Sequence, residues 1–337
     1  MSITLRRGLM AGLAATALLF ARPLSAAEPY PITFQLNYPA AGFNSGFELA
    51  VQKGFYKEAG MDVKIEPGNG SQITAQLVAA GKVDLAFADA APVMRLIAAG
   101  AKIKIIATIL QGNPNQVTAL SSLGLKSVAD IKGKSVAVPN GGSQGPMLPL
   151  VLAANGLKES DIQQVNMPPD SMPAALIQGR VQVILGSVDY FAILLKKLGA
   201  DTTNFAFIDH GAPTVSTSII ASESFLAAHP DLAKGFVAAS LKGWDAAIDN
   251  PAAAVTAMST MFRDANAELA PAQLDATKQL MCANRAQFVG KATPVQWDDT
   301  VKILTEVGVL PAGTIAGAYY TYDYLPPDAA LRPCPLR

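Results

Sequence analysis

The amino-acid sequence predicts an α/β protein with two lobes, each built on a mostly parallel sheet flanked by helices. Short β-rich runs alternate with helical stretches along most of the chain, which is typical of parallel sheets. In addition, a helix-glycine-strand unit occurs twice, at residues 75–89 and 173–189, with Gly81 and Gly179 at corresponding positions. In a chain of 337 residues, two such units favour two lobes of similar design.

Residues 1–27 have the pattern of an export signal. Arg6 and Arg7 precede an apolar run, and small residues end at Ala27, which suits cleavage there. The general export route and a twin-arginine route both fit this pattern. The run is too short to span a bilayer, so we expect a mature chain outside the cytoplasm that begins near Glu28.

Composition and charge argue against nucleic acid or an acidic membrane surface as a partner. Half of the residues are hydrophobic and 15% are charged, and without the leader the chain carries 23 basic and 26 acidic side chains. Two His and two Cys at unrelated spacings make no metal-ligand set, so we expect neither a metal nor a cofactor. Cys282 and Cys334 either form one disulfide, which would hold the Pro-rich tail (residues 326–337) to a helix, or remain free thiols.

The first lobe is predicted to comprise residues 28–112 and, after a return crossing, residues 215–325. Its helices end at glycine, which readily adopts the left-handed conformation that closes a helix. Its strands are expected at residues 32–36, 63–65, 83–88 and 103–110. The return is mainly helical, with apolar stripes that include Trp244 and Trp297 and are expected to form core.

The second lobe is predicted to comprise residues 113–214. The Gly/Pro-rich residues 111–115 provide the first crossing between lobes. A strand at residues 135–138 leads through a turn into a helix that Pro146 opens at its first position and Gly156 closes.

Two strand-to-helix turns carry nearly the same four residues, Asn-Gly-Ser-Gln at 69–72 and Gly-Gly-Ser-Gln at 141–144. The first backbone N–H groups of a helix have no partner within the helix, so such turns offer donors to a polar ligand. We expect the two turns to face each other across one cleft. Alternatively, Ser71 and Ser143 cap their own helices.

Aromatic and acidic residues collect at the other strand ends, where they suit a small flat ligand with N–H donors. Since no Arg or Lys is well placed there, the residues favour a neutral or cationic heterocycle over nitrate, while an alkanesulfonate or an aromatic carboxylate remains an open alternative. Glu48 is expected to be a solvated helix residue. The candidate ligand-binding residues are Tyr38, Phe43, Asn44, Ser71, Gln72, Asp89, Gly142, Ser143, Gln144, Asp189 and Tyr190.

Residues 141–145 also satisfy the G-x-S-x-G pattern of a serine hydrolase, after a strand and before a helix. Ser143 would be the nucleophile, and His210 is the better placed of the two histidines as its base. Two adjacent glycines and Pro139 make a loose turn, however, and a serine in a ligand loop is the preferred interpretation.

Several motifs in the same order resemble one family. They are GFELAVQKGFYKEAGMDVKI, QLVAAGKVDLAFAD, GLKSVADIKGKSVAV and HPDLAKGFVAASLKGWDAAIDNPAAAV, within residues 32–327. The chain resembles the periplasmic solute-binding proteins of ABC importers for nitrate, sulfonates, taurine and thiamine-pyrimidine precursors. DHGAPT (209–214) and AYYTYDYLPP (318–327) look most like the pyrimidine-precursor binders, whereas Asn44, Glu48 and Gln182 depart from that branch.

The resemblance implies a two-lobed, type II-like periplasmic binding protein that closes on its ligand like a hinge. It further implies a monomer without enzymatic activity that delivers a small molecule to an ABC permease. An alkanesulfonate, nitrate or an aromatic carboxylate is the alternative ligand, and a periplasmic sensor module is an alternative role.

Overall fold

A computed structural model describes residues 28–336, so the predicted export signal lies outside the described residues. These residues form two five-stranded sheets flanked by helices. The strands are β1 (Tyr30–Gln35), β2 (Met61–Glu66), β3 (Leu85–Asp89), β4 (Ile103–Thr108), β5 (Asn115–Leu120), β6 (Ser135–Pro139), β7 (Gln163–Met167), β8 (Val183–Ser187), β9 (Thr202–Ala206) and β10 (Thr217–Ser222). The helices are α1 (Ser45–Gln52), α2 (Phe55–Glu58), α3 (Ser71–Ala79), α4 (Ala90–Ala98), α5 (Gln144–Ala154), α6 (Met172–Ile177), α7 (Phe191–Lys197), α8 (Glu223–Ala228), α9 (Pro230–Asp249), α10 (Pro251–Met261), α11 (Ala270–Met281) and α12 (Pro294–Glu306).

The two sheets have the same topology. Their strand orders are β2-β1-β3-β10-β4 and β7-β6-β8-β5-β9. In each sheet one strand runs against the other four, β10 in the first and β5 in the second, and each is the first strand that the chain adds after passing from the other sheet. The predicted fold class is therefore confirmed, with one reversed strand in each sheet.

The internal repeat corresponds to equivalent parts of the two sheets. Its first copy contains most of α3 together with β3, and its second copy contains α6 and β8. Both β3 and β8 are central strands whose residues are all buried. The helix that precedes each one ends before a glycine with positive φ, Gly81 at 64° and Gly179 at 69°, as expected from the sequence.

The helical return packs on the first sheet and fills its core. Trp244 and Trp297 are fully buried, which confirms their predicted core role. Trp244 lies so close to α1 that a Cβ on Gly46 would come within 2.3 Å of the indole ring. Glu48, expected in solvent, is fully buried among these helices, and neither of its carboxyl oxygens has a hydrogen-bond partner. That expectation was wrong because α9 and α10 pack against α1. They cover a face that the residue pattern of α1 alone would place in solvent.

Helix α5 begins two residues earlier than the sequence predicts, at Gln144, so Pro146 lies inside the first turn. A proline there removes no helical hydrogen bond, because the first four N–H groups of a helix have no internal acceptor. The earlier start places Ser143 and Gln144 at the N-terminal end of α5, which faces the other strand-to-helix turn, at residues 69–72.

The C-terminal tail folds back on the end of α11, where a disulfide joins Cys334 to Cys282. Within residues 28–336, no helix has the length and apolar character needed to cross a membrane, and no group of three or more His, Cys, Asp or Glu side chains is arranged to hold a metal ion.

Candidate functional site

A cavity lies between the two sheets, at the edge where the carboxyl ends of the parallel strands meet. Asp89 and Ser187 line it from the ends of β3 and β8, and Leu110 and Thr217 line it where the chain leaves and re-enters the first sheet. Its volume is about 80 Å³. Ligands of open α/β sheets bind outside the carboxyl ends of the strands, so this cavity is the candidate binding site.

The two similar strand-to-helix turns both line this cavity and contact each other. The N–H of Gln72 donates to the carbonyl oxygen of Gly141 at 3.0 Å. A Cβ on Gly70 would lie 2.3 Å from that oxygen, and Gly70 has a φ of 116°, a conformation that other residues rarely adopt. The expectation that the two turns face each other across one cleft is confirmed.

An asparagine holds each of the two cleft serines. The Asn37 side-chain amide donates to Ser71 Oγ at 3.2 Å, and the Asn115 amide donates to Ser143 Oγ at 3.1 Å. Neither serine hydroxyl caps its own helix, because the N-cap of α3 is Gly70 and the Ser143 side chain makes no capping bond. The alternative that these serines are only helix caps is therefore wrong, and both line the cavity.

Aromatic rings also line the cavity. Tyr38 follows β1 of the first sheet and Tyr190 follows β8 of the second, and their ring centroids are 5.3 Å apart in an edge-to-face arrangement. Phe43 lies 6.2 Å from the Tyr190 ring. The Tyr38 hydroxyl is buried without a hydrogen-bond partner. Burial is the main cause of the raised pKa of Tyr38 and of Tyr190, and the nearby Asp170 carboxylate raises both further.

Two buried carboxyl groups face the cavity. Asp89 is 2% exposed and Asp189 is 6% exposed, and burial raises the pKa of each to about 6. The Ser216 hydroxyl donates to Asp89 Oδ2 at 2.6 Å and the Ala91 N–H donates to Oδ1 at 2.9 Å, so Asp89 also caps α4. Above pH 7 both groups are largely ionised despite their burial.

The lining of the cavity combines acidic and neutral groups. Among the described residues, no Lys, Arg or His lines it. Asp170 lies on an exposed turn next to Pro169, which lines the cavity, and adds a further negative charge near the cavity. The site therefore offers carboxylate acceptors, hydroxyl groups and aromatic faces, and it offers no cationic side chain.

Most predicted ligand-binding residues line the cavity, namely Tyr38, Phe43, Ser71, Asp89, Gly142, Ser143, Gln144, Asp189 and Tyr190. Two do not. Asn44 is fully buried below the cleft, where its Oδ1 accepts from the N–H of Ala41 at 2.9 Å. Gln72 contributes its backbone N–H to the contact between the two turns. The sequence reasoning missed Asn37 and Asn115; for Asn37, its position soon after β1 is a signal that identifies it.

The histidines lie away from Ser143. The His210 ring bonds through Nδ1 to the carbonyl oxygen of Ala206 at 2.8 Å, and the His229 ring bonds to the Tyr30 hydroxyl at 3.1 Å. Since neither ring lines the cavity, neither acts as a base for Ser143 in this arrangement.

Residues 44–254, more than half of the chain, match the family model described as NMT1/THI5 like. The chain belongs to the NMT1/THI5-like family. The resemblance seen in the sequence is thereby confirmed.

Curated relatives of this NMT1/THI5-like protein are named for several heterocycles. The formylaminopyrimidine-binding protein of Halalkalibacterium halodurans is 25% identical over 222 residues, which span 65% of this chain and 66% of that protein. The riboflavin-binding protein RibY of Chloroflexus aurantiacus is 26% identical over 68% of this chain and 67% of its own. The 4-amino-5-hydroxymethyl-2-methylpyrimidine phosphate synthase of Schizosaccharomyces pombe is 27% identical over 62% and 63% of the two chains.

Solved structures with the same fold are named for anions. The alkanesulfonate-binding protein SsuA of Xanthomonas axonopodis pv. citri, bound to MOPS, has a TM-score of 0.69 and 17% identity, and the match covers 87% of this chain and 99% of that one. The nitrate-binding protein NrtA of Synechocystis has a TM-score of 0.66 and 16% identity, with 88% and 87% of the chains covered. At these identities the likeness establishes the fold.

Proposed function

We propose that this protein is a periplasmic solute-binding protein that captures a small nitrogen heterocycle between its two lobes and delivers it to the permease of an ABC importer. The observation that carries the proposal is the pair of buried carboxyl groups, Asp89 and Asp189, in a cavity whose described lining includes no basic side chain. An ionised carboxylate only accepts hydrogen bonds, so the site suits a neutral or cationic ligand with N–H donors.

The same charges argue against nitrate or a sulfonate. An anion 4 Å from one ionised carboxylate is repelled by about 4 kcal/mol at an effective dielectric constant of about 20. The helix N-termini at Ser71 and Gln144 attract an anion by up to about 2 kcal/mol each. One ionised carboxylate therefore offsets both helix ends, and the second carboxylate makes the net interaction repulsive.

The names of the relatives agree with this preference, since they refer to an aminopyrimidine and a flavin. The cavity of about 80 Å³ favours a single small ring over a flavin, because a cavity of about 150 Å³ is known to hold one benzene ring. We therefore propose that the lobes separate to admit even a pyrimidine and then close around it less fully than they do here.

Capture follows from the placement of the site residues on both lobes. We propose a first lobe of residues 28–112 and 215–325 and a second lobe of residues 113–214. Tyr38 and Ser71 then face Tyr190 and Ser143 from the opposite side, so a ligand that contacts both pairs binds the closed form more tightly than the open form. Such a ligand shifts the population towards closure.

Periplasmic location and delivery to a permease rest on the export-signal pattern and on the family. A carrier of this kind functions as a monomer. Closure then presents a defined surface to the permease only when the ligand is bound, which couples recognition to transport.

Calorimetric titration of the purified protein tests the proposal. The panel contains an aminopyrimidine, a flavin precursor, taurine, an alkanesulfonate, nitrate and a small aromatic carboxylate. At a hundred times its dissociation constant the true ligand should stabilise the protein by about 2.7 kcal/mol, which also raises the melting temperature by a few degrees. We expect binding by the aminopyrimidine and loss of that binding in Asp189→Ala. Binding by anions alone would overturn the ligand assignment.

An anion-binding protein is the second candidate, favoured by the two helix N-termini and two serine hydroxyls at the cavity. An enzyme of pyrimidine chemistry is a third, favoured by the synthase among the relatives. Incubation of the aminopyrimidine with the protein, followed by mass spectrometry, separates binding from conversion; we expect the compound to be recovered unchanged.

A further inference from the structure

The chain passes between the two sheets twice, and both of these passages contact the same short segment. The first passage comprises residues 109–114 and the second residues 207–216. We define the hinge brace as residues 280–290, the end of α11 and the loop after it. The carbonyl oxygen of Leu280 accepts from the N–H groups of Gln111 and Gly112, each at 3.0 Å, and the Asn284 side-chain amide donates to the carbonyl oxygen of Pro213 at 2.9 Å.

The contact between the brace and the first passage is close. A Cβ on Gly112 would lie 2.6 Å from the Ala283 Cβ. The Gln111 side-chain amide donates to the carbonyl oxygen of Phe288 at 2.5 Å, and the chain just before the passage bonds the brace again, from the Thr108 N–H to Gly290 at 2.9 Å. Movement of the passage therefore requires movement of the brace.

The C-terminal tail holds the brace from outside. The disulfide joins Cys282 in the brace to Cys334 in the tail, and the Cys334 N–H donates to the carbonyl oxygen of Gln287 at 2.9 Å. Arg332 in turn anchors the tail through an ion pair with Asp249 of α9 at 2.6 Å. The brace itself has little regular structure, so its position depends on this cross-link.

We propose that the Cys282–Cys334 disulfide is a redox-sensitive clamp on the hinge that controls closure of the cleft. A dithiol reductant opens the bond, giving two protein thiols and the oxidised cyclic reductant. Both cysteines are half-buried, so the bond is within reach of such a reductant. Release of the tail loosens the brace, the passages gain freedom, and the closed form opens more often. This inference does not depend on the identity of the ligand.

Amide hydrogen exchange tests the clamp, because two amides report on the two ends of the mechanism. The Gln111 N–H reports on the brace. The Gln72 N–H reports on the cleft, since it lies in the first turn of α3 without a helical acceptor and bonds Gly141 of the other turn. Labelling for seconds to minutes detects local opening, whereas amides of the central strand β3 exchange only through larger unfolding.

In dithiothreitol we expect exchange at Gln72 and Gln111 to become at least tenfold faster at these short times, with Phe87 in β3 unchanged. The Cys282→Ser/Cys334→Ser variant should show the fast rates with or without the reductant. Unchanged exchange at Gln72 would overturn the proposal, since the bond would then stabilise the fold without affecting closure; so would faster exchange at Phe87 alone.

A second variant keeps the test informative if the cysteine variant does not fold. Asn284 has a φ of 52°, which glycine adopts freely, so Asn284→Gly removes the contact to the second passage without backbone strain. With the disulfide intact, this variant should also speed exchange at Gln72. Asn166→Gly, at an exposed position on the edge strand β7 of the second sheet, is the control and should leave Gln72 unchanged.

Discussion

Replacing Asp189 by asparagine should stabilise the ligand-free protein while weakening ligand binding. Burial raises the pKa of Asp189 from 3.8 to about 6, and one pKa unit corresponds to about 1.4 kcal/mol. A folded state with the higher pKa binds protons more tightly than the unfolded state, so the carboxyl group lowers stability as pH rises through this range. At pH 7.5 the cost is about 3 kcal/mol, and at pH 4.5 it is about 1 kcal/mol.

Urea denaturation of wild type and Asp189→Asn at both pH values measures this difference. The variant should gain about 3 kcal/mol at pH 7.5 and about 1 kcal/mol at pH 4.5. Asp201→Asn is the matched control, because Asp201 is an exposed carboxyl group next to β9 of the same sheet, and it should change little. An equal gain at both pH values, or no gain at pH 7.5, would refute the reasoning, since the effect would not come from a buried charge.

Four further results are expected. Affinity for an N–H ligand should fall at least tenfold between pH 7.5 and pH 5 in calorimetric titrations, because the two cavity carboxyl groups, each with a pKa of about 6, become protonated; a constant affinity would contradict their role. Gly70→Ala should block closure and weaken binding at least tenfold, since its Cβ would lie 2.3 Å from the Gly141 oxygen. Tyr190→Ala should weaken ligand binding by about 1 kcal/mol in addition to the effect of the lost contact area, as measured by calorimetric titration. Glu48→Gln should not lower the unfolding midpoint at pH 7.5, because burial raises the pKa of Glu48 and no partner is lost; a clear drop would show that the carboxylate is needed.

The fold follows from local features of the sequence to a large extent. The alternation of strands and helices and the repeated helix-glycine-strand unit lead to two like sheets, because both are short-range patterns. The reversed direction of β5 and β10 could not be predicted from such short-range patterns. It depends on where the chain crosses between sheets, and hydrophobic periodicity carries no information about strand direction.

The site was harder to predict than the fold, for a physical reason. The matched turns and the strand-end residues Tyr38, Asp89 and Tyr190 identify the cleft, because strand ends share one edge of a sheet. The surroundings of a side chain, however, depend on helices that are distant in sequence. Asn44 therefore lies below the cleft and Glu48 lies in the core, although both look suited to solvent or ligand on α1 alone.

The most direct test of a cleft built around buried carboxylates is one parallel calorimetric titration at pH 7.5, of wild type and Asp189→Asn, with an aminopyrimidine and with an alkanesulfonate. We predict that wild type binds the aminopyrimidine and not the sulfonate, and that the variant loses the aminopyrimidine because the buried acceptor has lost its charge. Tight sulfonate binding by wild type, or aminopyrimidine binding that is unaffected by Asp189→Asn, would contradict this view of the cleft.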